Sequence, residues 1–245
     1  MWGGDWDVHV FESLDSTNTY LLAQARAGAP EAMVVVADHQ VAGRGRLDRR
    51  WESPPGASLL TSILFRPAFD PVELHLCSAA VALAAVQACG QVAGVDPVIK
   101  WPNDLMVGGA KLAGVLAEVD FSGATAAVVV GIGINVSWPG PPSVQGTCLD
   151  QFAPAPVDRQ ALLAALLDAL APRRVLLDTV DGRRGLGEEL RRTCATLGQH
   201  VRVDLAAETI SGLARAIDDS GHLIVETDQG PRRVAAGDVV HVRAT

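Results

Sequence analysis

Four short segments of this chain carry residue types whose spacing suits chemistry on an anionic substrate. The first, Gln40-Val41-Ala42-Gly43-Arg44-Gly45-Arg46-Leu47-Asp48-Arg49-Arg50-Trp51, sets two glycines among four arginines. Glycine lets backbone N–H groups turn towards an anion, and arginine presents a planar fork to carboxylate or phosphate. Taken alone, the segment reads equally as a solvated surface loop or a nonspecific nucleic-acid patch. It is not a dinucleotide-binding fingerprint, because Asp48 stands at the third glycine position and no helix follows. No Walker A sequence occurs in the chain.

The second segment, Lys100-Trp101-Pro102-Asn103-Asp104, ends a strand in a turn. Ordinary turn chemistry accounts for it; a carboxylate there also has the reach to hold a metal, orient an amine or accept its proton. The third centres on Lys111. A regular strand places it on one face with Ala113, Val115, Ala117 and Val119. An ammonium on an apolar face needs an anionic partner, or it snorkels to solvent. Of the 20 basic residues, only Lys100 and Lys111 are lysines. In so arginine-rich a chain, a lysine marks a place where a compact ammonium does what a planar fork does not.

The fourth segment runs from Val128 to Val136. Alternation puts Val128, Val130, Ile132, Ile134 and Val136 on one face, and Val129, Gly131, Gly133 and Asn135 on the other. Two glycines on one face signal a close approach to the backbone. A flat ring lying over the bare strand, with Asn135 bonding its edge, satisfies that pattern. Packing of another side chain or backbone satisfies it equally.

The elements that position these segments follow from periodicity and punctuation. A strand is predicted over residues 7–12, then a helix capped by Asp15 or Ser16 with Leu14, Leu21, Leu22 and Ala25 on one face. Strands follow over residues 32–37 and 58–65, with the irregular glycine and arginine segment between them. An alanine-rich helix over about residues 72–90 precedes strands at 97–101, 111–119 and 125–136, with a Gly108-Gly109 turn before the middle one. Residues 137–157 form a proline-rich loop, long enough to be functional or a linker. A leucine-striped helix begins at Asp158 and is predicted to stop near Pro172; a second helical stretch ends near Gly198. From His200 onward, short strands recur with turns at Asp219-Ser220-Gly221, Gln229-Gly230-Pro231 and Gly237-Asp238, the pattern of a small β-barrel.

Composition narrows the functional class. The 245 residues are 49% hydrophobic and 20% charged, with net charge −8, so long disordered stretches and whole-molecule attraction to nucleic acid or anionic membrane are disfavoured. Cys77, Cys89, Cys148 and Cys194 are scattered, without a CxxC pair, which argues against zinc ribbons and disulfide scaffolds and for a reducing, cytoplasmic setting. The first residues carry no basic and apolar leader. The apolar stretch Leu76 to Gly94 is interrupted by Ser78, Gln87, Gly90 and Gln91, and reads as a buried helix rather than a membrane span.

Together the segments resemble the biotin protein ligase family. The matching pieces are Ser16-Thr17-Asn18, Gln40 with GRGRLDRRW (43–51), KWPNDL (100–105), KLAGVLAE (111–118) and GIGINV (131–136). Residues 210–218 resemble the family's C-terminal SH3-like domain. The resemblance implies an α+β fold: a mixed-sheet catalytic domain of class II synthetase-like, biotin–lipoyl ligase type over residues 1–197, and an SH3-like β-barrel over 198–245. It implies that biotin and MgATP form biotinyl-5′-AMP, from which the biotinyl group passes to a lysine of a biotin carboxyl carrier domain, as in acetyl-CoA carboxylase. A lipoate-type ligase of the same fold and a non-catalytic biotin or adenylate sensor are the alternatives.

Carried over by motif, Lys111, Arg46 and Asp104 are the catalytic candidates, and Asp104 is also the candidate magnesium ligand. Biotin-binding positions are Ser16, Thr17, Asn18, Gln40, Gly43, Arg44 and Gly45, joined by Arg46 and Lys111. Adenylate-side positions are Arg49, Trp51, Asn103, Gly131, Gly133 and Asn135. The residue types suit such chemistry. A carboxylate meeting an α-phosphate is repelled by several kcal/mol at an effective dielectric of about 20, which Arg44, Arg46 and Lys111 would offset. Ser16, Thr17 and Gln40 offer donors and acceptors to a ureido ring. Closure of the 43–51 loop, with Trp51 as shield, would keep a mixed anhydride from water. Two departures stand out. Asp48 replaces the family's usual glycine, bringing a negative charge that pairs with Arg49 or Arg50 or weakens closure. The Ser-Thr-Asn motif lies only about fifteen residues from Met1, too few for a DNA-binding winged helix, so a ligase without repressor function is expected. No nucleic-acid or membrane partner is expected, and either a monomer or a homodimer is compatible with the sequence.

Overall fold

A computed structural model describes residues 5–123, 125–205, 208–235 and 237–241. The apolar runs form one seven-stranded mixed sheet from β1 (Asp7–Leu14), β2 (Met33–Gln40), β3 (Ser58–Phe65), β4 (Val98–Lys100), β5 (Asp104–Val107), β6 (Ala110–Asp120) and β7 (Ala127–Asn135). Their spatial order is β1-β2-β3-β7-β6-β5-β4. Only β1 and β2 run parallel, joined by the crossover helix α1 (Thr17–Arg26). Its N-cap is Ser16, whose hydroxyl accepts from Thr19 N–H.

The sheet separates two layers. On one face α1 buries Leu21 and Ala25 against Met33, Val35, Leu64 and Val129. On the other, α2 (His75–Ala93), α3 (Arg159–Leu177) and α4 (Val180–Thr193) pack over the β-branched face of β7, so Val128, Val130, Ile132 and Ile134 belong to the main core as expected. The alanines of α2 let it approach the sheet closely, and Gly94, at φ 65°, ends the helix in the left-handed conformation that favours glycine. This helix has the length and composition of a membrane span, but 67% of that window is buried in the protein core.

A second, five-stranded antiparallel sheet follows: β8 (His200–Asp204), β9 (Thr209–Ile217), β10 (Leu223–Thr227), β11 (Gly230–Val234) and β12 (Asp238–His241), in the order β11-β10-β9-β8-β12. It is the expected small β domain. Among the described residues its outer strands β11 and β12 do not pair to close a barrel. It has its own core, and Trp101 from the turn after β4 is built into it. There Trp101 N–H donates to Thr196 Oγ1 at 3.0 Å and its indole Nε1 donates to Gly221 O at 3.0 Å.

Four local expectations change. Asp104–Val107 is a strand, not the tail of a turn, because it pairs with β4 on one side and β6 on the other. The Gly108-Gly109 turn, with φ 58° and 82°, closes the second hairpin. Helix α3 passes through Pro172 to Leu177, since burial of Leu170 and Leu177 offsets the missing N–H. Helix α4 ends at Thr193, where Cys194 turns extended and bridges Ile99 of β4. Finally, Lys111 does not share a face with Ala113 and Val115. Leu105 pairs Ala113 while Met106 pairs Lys111, so β6 carries one extra residue, a bulge at Leu112 that re-aims the lysine.

Two measurements test this packing. Leu166, fully buried beneath the sheet, should cost about 2–5 kcal/mol on replacement by alanine, read from denaturant midpoints at unchanged slope. Burial pushes the Cys77 and Cys89 thiols up to about 12. Both should therefore resist iodoacetamide at pH 8 in the native protein and react fully once it is unfolded.

Candidate active site

The site lies on the α1 face of the sheet, over a patch that glycines of two neighbouring central strands leave bare. Gly114 of β6 pairs directly with Gly133 of β7. The indole of Trp51 rests on that bare patch. A Cβ on Gly133 would stand 2.5 Å from Trp51 Cε2, and one on Gly114 would stand 3.1 Å from Trp51 Cζ3. The flat ring anticipated over the glycine face is thus one of the chain's own. Gly131 owes its missing Cβ to a different neighbour, the side chain of Asn18.

Trp51 is delivered by a hairpin. Arg44 bridges Arg50, Gly45 N–H donates to Arg49 O at 2.7 Å, and Trp51 N–H donates to Gly43 O at 3.0 Å. The tip residues Leu47 and Asp48 both have positive φ, 55° and 57°. That conformation explains why glycine suits position 48, and why aspartate, which tolerates it better than most residues, can stand there. Asp48 pairs with neither neighbouring arginine. Arg49 binds Asp238 of β12, and Arg50 donates to Val41 O at 3.0 Å.

Beneath the hairpin is a cavity of about 380 Å³, a size typical of small-ligand sites. One end is a buried polar cluster. Ser16, Thr17 and Asn18 are each at most 4% exposed. Gln40 Oε1 accepts from Thr17 N–H at 2.8 Å and lies 3.0 Å from the Thr17 hydroxyl. Ser62 of β3 completes the cluster, 2.7 Å from Thr17 Oγ1 and donating to Asn18 Oδ1 at 2.6 Å.

The other end is charged. The bulge carries Lys111 Nζ over Gly114, 3.4 Å from where a Cβ would be, and 2.6 Å from Asp104 Oδ1. The ammonium is also 5.7 Å from the Trp51 ring centroid, within cation–π range. Asn103 Nδ2 donates to Val115 O at 2.8 Å, which turns its Oδ1 towards Arg46 Nη1 at 3.3 Å. Burial pulls the Arg46 guanidinium below the usual arginine range, opposed by Asp104 and Asp238; it stays cationic at neutral pH. The hydrogen bond from Arg49 holds the Asp238 carboxyl below the usual aspartate range.

The proline-rich loop after β7 forms the remaining wall. Lys111 N–H donates to Gln145 O at 2.8 Å, and Thr147 N–H donates to Lys111 O at 2.9 Å. Asn135 Nδ2 donates to Thr147 O at 3.0 Å, so its amide braces this loop.

The sequence-derived residues therefore gather around one cavity, with Gly43 placed where the hairpin strands come closest: a Cβ there would run into Trp51 O. Sequence reasoning missed Ser62 and Asp238, and singled out Lys100 as one of only two lysines without giving it a place in the site. A fully buried strand, SLLTSILF, that keeps Thr61 and Ser62 signals an internal polar site. Lys100 pairs directly with Asp104 across β4 and β5, a relation visible only once Asp104 is known to be in a strand. Asp238 carries no local signal, since it reaches the cavity from the second sheet.

Residues 10–135 match the biotin/lipoate A/B protein ligase family, and residues 196–242 match the biotin protein ligase C-terminal domain. A biotin–acetyl-CoA-carboxylase ligase of Mycobacterium tuberculosis is 36% identical over 98% of this chain and 91% of its own length. The bifunctional ligase/repressor BirA of Bacillus subtilis is 32% identical over 92% of this chain and 71% of its own. The fold is similar to that of the Aquifex aeolicus biotin protein ligase solved with biotin and ATP, with a TM-score of 0.81, 24% identity, and coverage of 97% of this chain and 99% of that one. On these matches and this architecture, the chain belongs to the biotin protein ligase family.

Proposed function

We propose that the chain condenses biotin with ATP to biotinyl-5′-AMP and pyrophosphate, then passes the biotinyl group to a lysine of a biotin carboxyl carrier domain. The observation that carries this reading is the two-ended cavity: a buried cluster of uncharged donors and acceptors opposite two cations, Lys111 and Arg46, roofed by an indole. A neutral ureido ring suits the first end, and a carboxylate beside a phosphate suits the second. The match to the C-terminal domain of biotin protein ligases favours biotin over lipoate.

In the first step a carboxylate oxygen of biotin bonds to the α-phosphorus as the bond to the departing pyrophosphate breaks. Both reactants are anions, so the step needs positive charge held in place beforehand. Arg46 is held by Asn103, and Lys111 is aimed by the bulge; an entering anion competes with Asp104 for the lysine. Trp51 Nε1, buried with no acceptor among the described residues, gains one from bound substrate. In the second step the carrier amine attacks the acyl carbon, the bond from that carbon to the phosphate oxygen breaks, and AMP leaves. Asp104, which lines the cavity, orients that amine and takes its proton.

The residues present fit a magnesium ion that arrives with the nucleotide. No group of three or more His, Cys, Asp or Glu residues that could cage a metal occurs among the described residues. Asp104 is a single carboxylate, which suits an ion carried on nucleotide phosphates. Such an ion would supply charge neutralisation to the triphosphate.

The carrier domain is the macromolecular partner, with the protein acting as monomer or homodimer. Free buried thiols suit a cytoplasmic setting.

Purified protein should exchange labelled pyrophosphate into ATP when biotin is added, and not when lipoate replaces it; no exchange with biotin overturns the reading. Lys111→Met should lower the adenylation rate by about 10²–10³, measured by rapid quench at saturating substrates. Arg46→Ala should speed loss of adenylate to solvent, and an unchanged release rate counts against its closing role.

A further inference from the structure

The four arginines of the hairpin do not share one task. Arg49 is paired with Asp238, Arg50 with a backbone carbonyl, and Arg44 with Glu118, whereas Arg46 meets the amide oxygen of Asn103 and is in no carboxylate salt bridge among the described residues. Glu118 is therefore an acidic residue placed against a loop built of cations, beside a site meant for anions.

Glu118 stands on β6, on the same face as Gly114 and Leu116. Its carboxylate is divided between two partners. Oε2 accepts from Asn18 Nδ2 at 2.9 Å, and Oε1 takes the Arg44 guanidinium. The Asn18 amide also donates to Leu116 O at 3.1 Å and accepts from Ser62 Oγ at 2.6 Å, which determines its orientation. An unbroken chain of polar contacts thus runs from Gln40 through Thr17, Ser62, Asn18 and Glu118 to Arg44. Thr17, Ser62 and Asn18 within it are buried; its last member is the base of the hairpin.

Arg44 also sits at a boundary. It lines both the substrate cavity and a second recess under the same hairpin, to which Glu118 itself contributes. With its charge taken by Glu118, Arg44 is a strut between the two spaces.

We propose that Glu118 is a positioning residue whose carboxylate ties the base of the 43–51 hairpin, through Arg44, to the buried Ser16–Asn18 turn, so that the biotin end of the cavity stays sealed while the adenylate is held. The proposal rests on the biotin-adenylating reading above. Occupation of the polar end and closure of the hairpin are then coupled through one side chain that touches neither reactant.

The test uses the full chain with Glu118→Gln, Glu118→Ala, Arg44→Ala and the Arg44→Ala/Glu118→Ala double variant. Glu118→Gln keeps an acceptor for Asn18 and loses the charge on Arg44, so it guards against a simple folding failure. Expected for both Glu118 variants is a rise of about 10-fold in biotin KM and in adenylate release, with kcat for adenylation within about 3-fold of the parent. The double variant should be no worse than Arg44→Ala alone, because the two residues act as one unit. Parent-like KM and release in Glu118→Ala, or effects that multiply in the double variant, overturn the proposal while leaving the adenylating reading intact. Absence of biotin-dependent exchange in the unaltered chain overturns that reading, and the proposal with it.

Discussion

The architecture depends on a patch of sheet with no side chains. Gly114 and Gly133 face each other across the two central strands, and the indole of Trp51 lies on them. Any Cβ at Gly133 would drive the indole away and lift the hairpin that carries it. The hairpin brings Arg44, Arg46 and Arg49 to their partners, and the same bare patch leaves room for the Lys111 side chain over Gly114. Seat, roof and cations therefore depend on one steric condition.

Charge is distributed with similar economy. A hairpin with four arginines would repel itself if every guanidinium faced one space. Here carboxylates from two distant elements neutralise two of them, and a backbone carbonyl takes a third. The Arg49–Asp238 pair is 61% and 47% exposed, so it contributes little to stability and is easily exchanged for another anion. The Lys111–Asp104 pair is more enclosed, at 28% and 22%, and is held by the bulge and by pairing with the loop after β7. Positioning of the ammonium is thus a backbone matter.

The second sheet is joined to the site at two points. Asp238 enters the cavity wall, while Trp101, three residues before Asp104, is packed into the second core. The turn that presents Asn103 and Asp104 is accordingly anchored from behind by the small domain. Its indole hydrogen bond to Gly221 and its backbone bond to Thr196 make that anchorage directional.

What the sequence determined by itself was local. The strand at residues 58–65, a helix cap at Asp15 or Ser16 (Ser16 in the structure), the core face of Val128 to Ile134 and the glycine face opposite all follow from periodicity and residue type, because each depends on neighbours within a few positions. The motifs also named most cavity residues. Tertiary structure decided the rest. The bulge at Leu112 moved Lys111 to the other face, since strand pairing and not alternation sets the register there. Core burial carried α3 past Pro172, overriding a local stop signal. Which arginine stays available to a substrate could not be read from GRGRLDRRW. The deciding carboxylates, Glu118 and Asp238, lie far along the chain, and only folding brings their charges within reach.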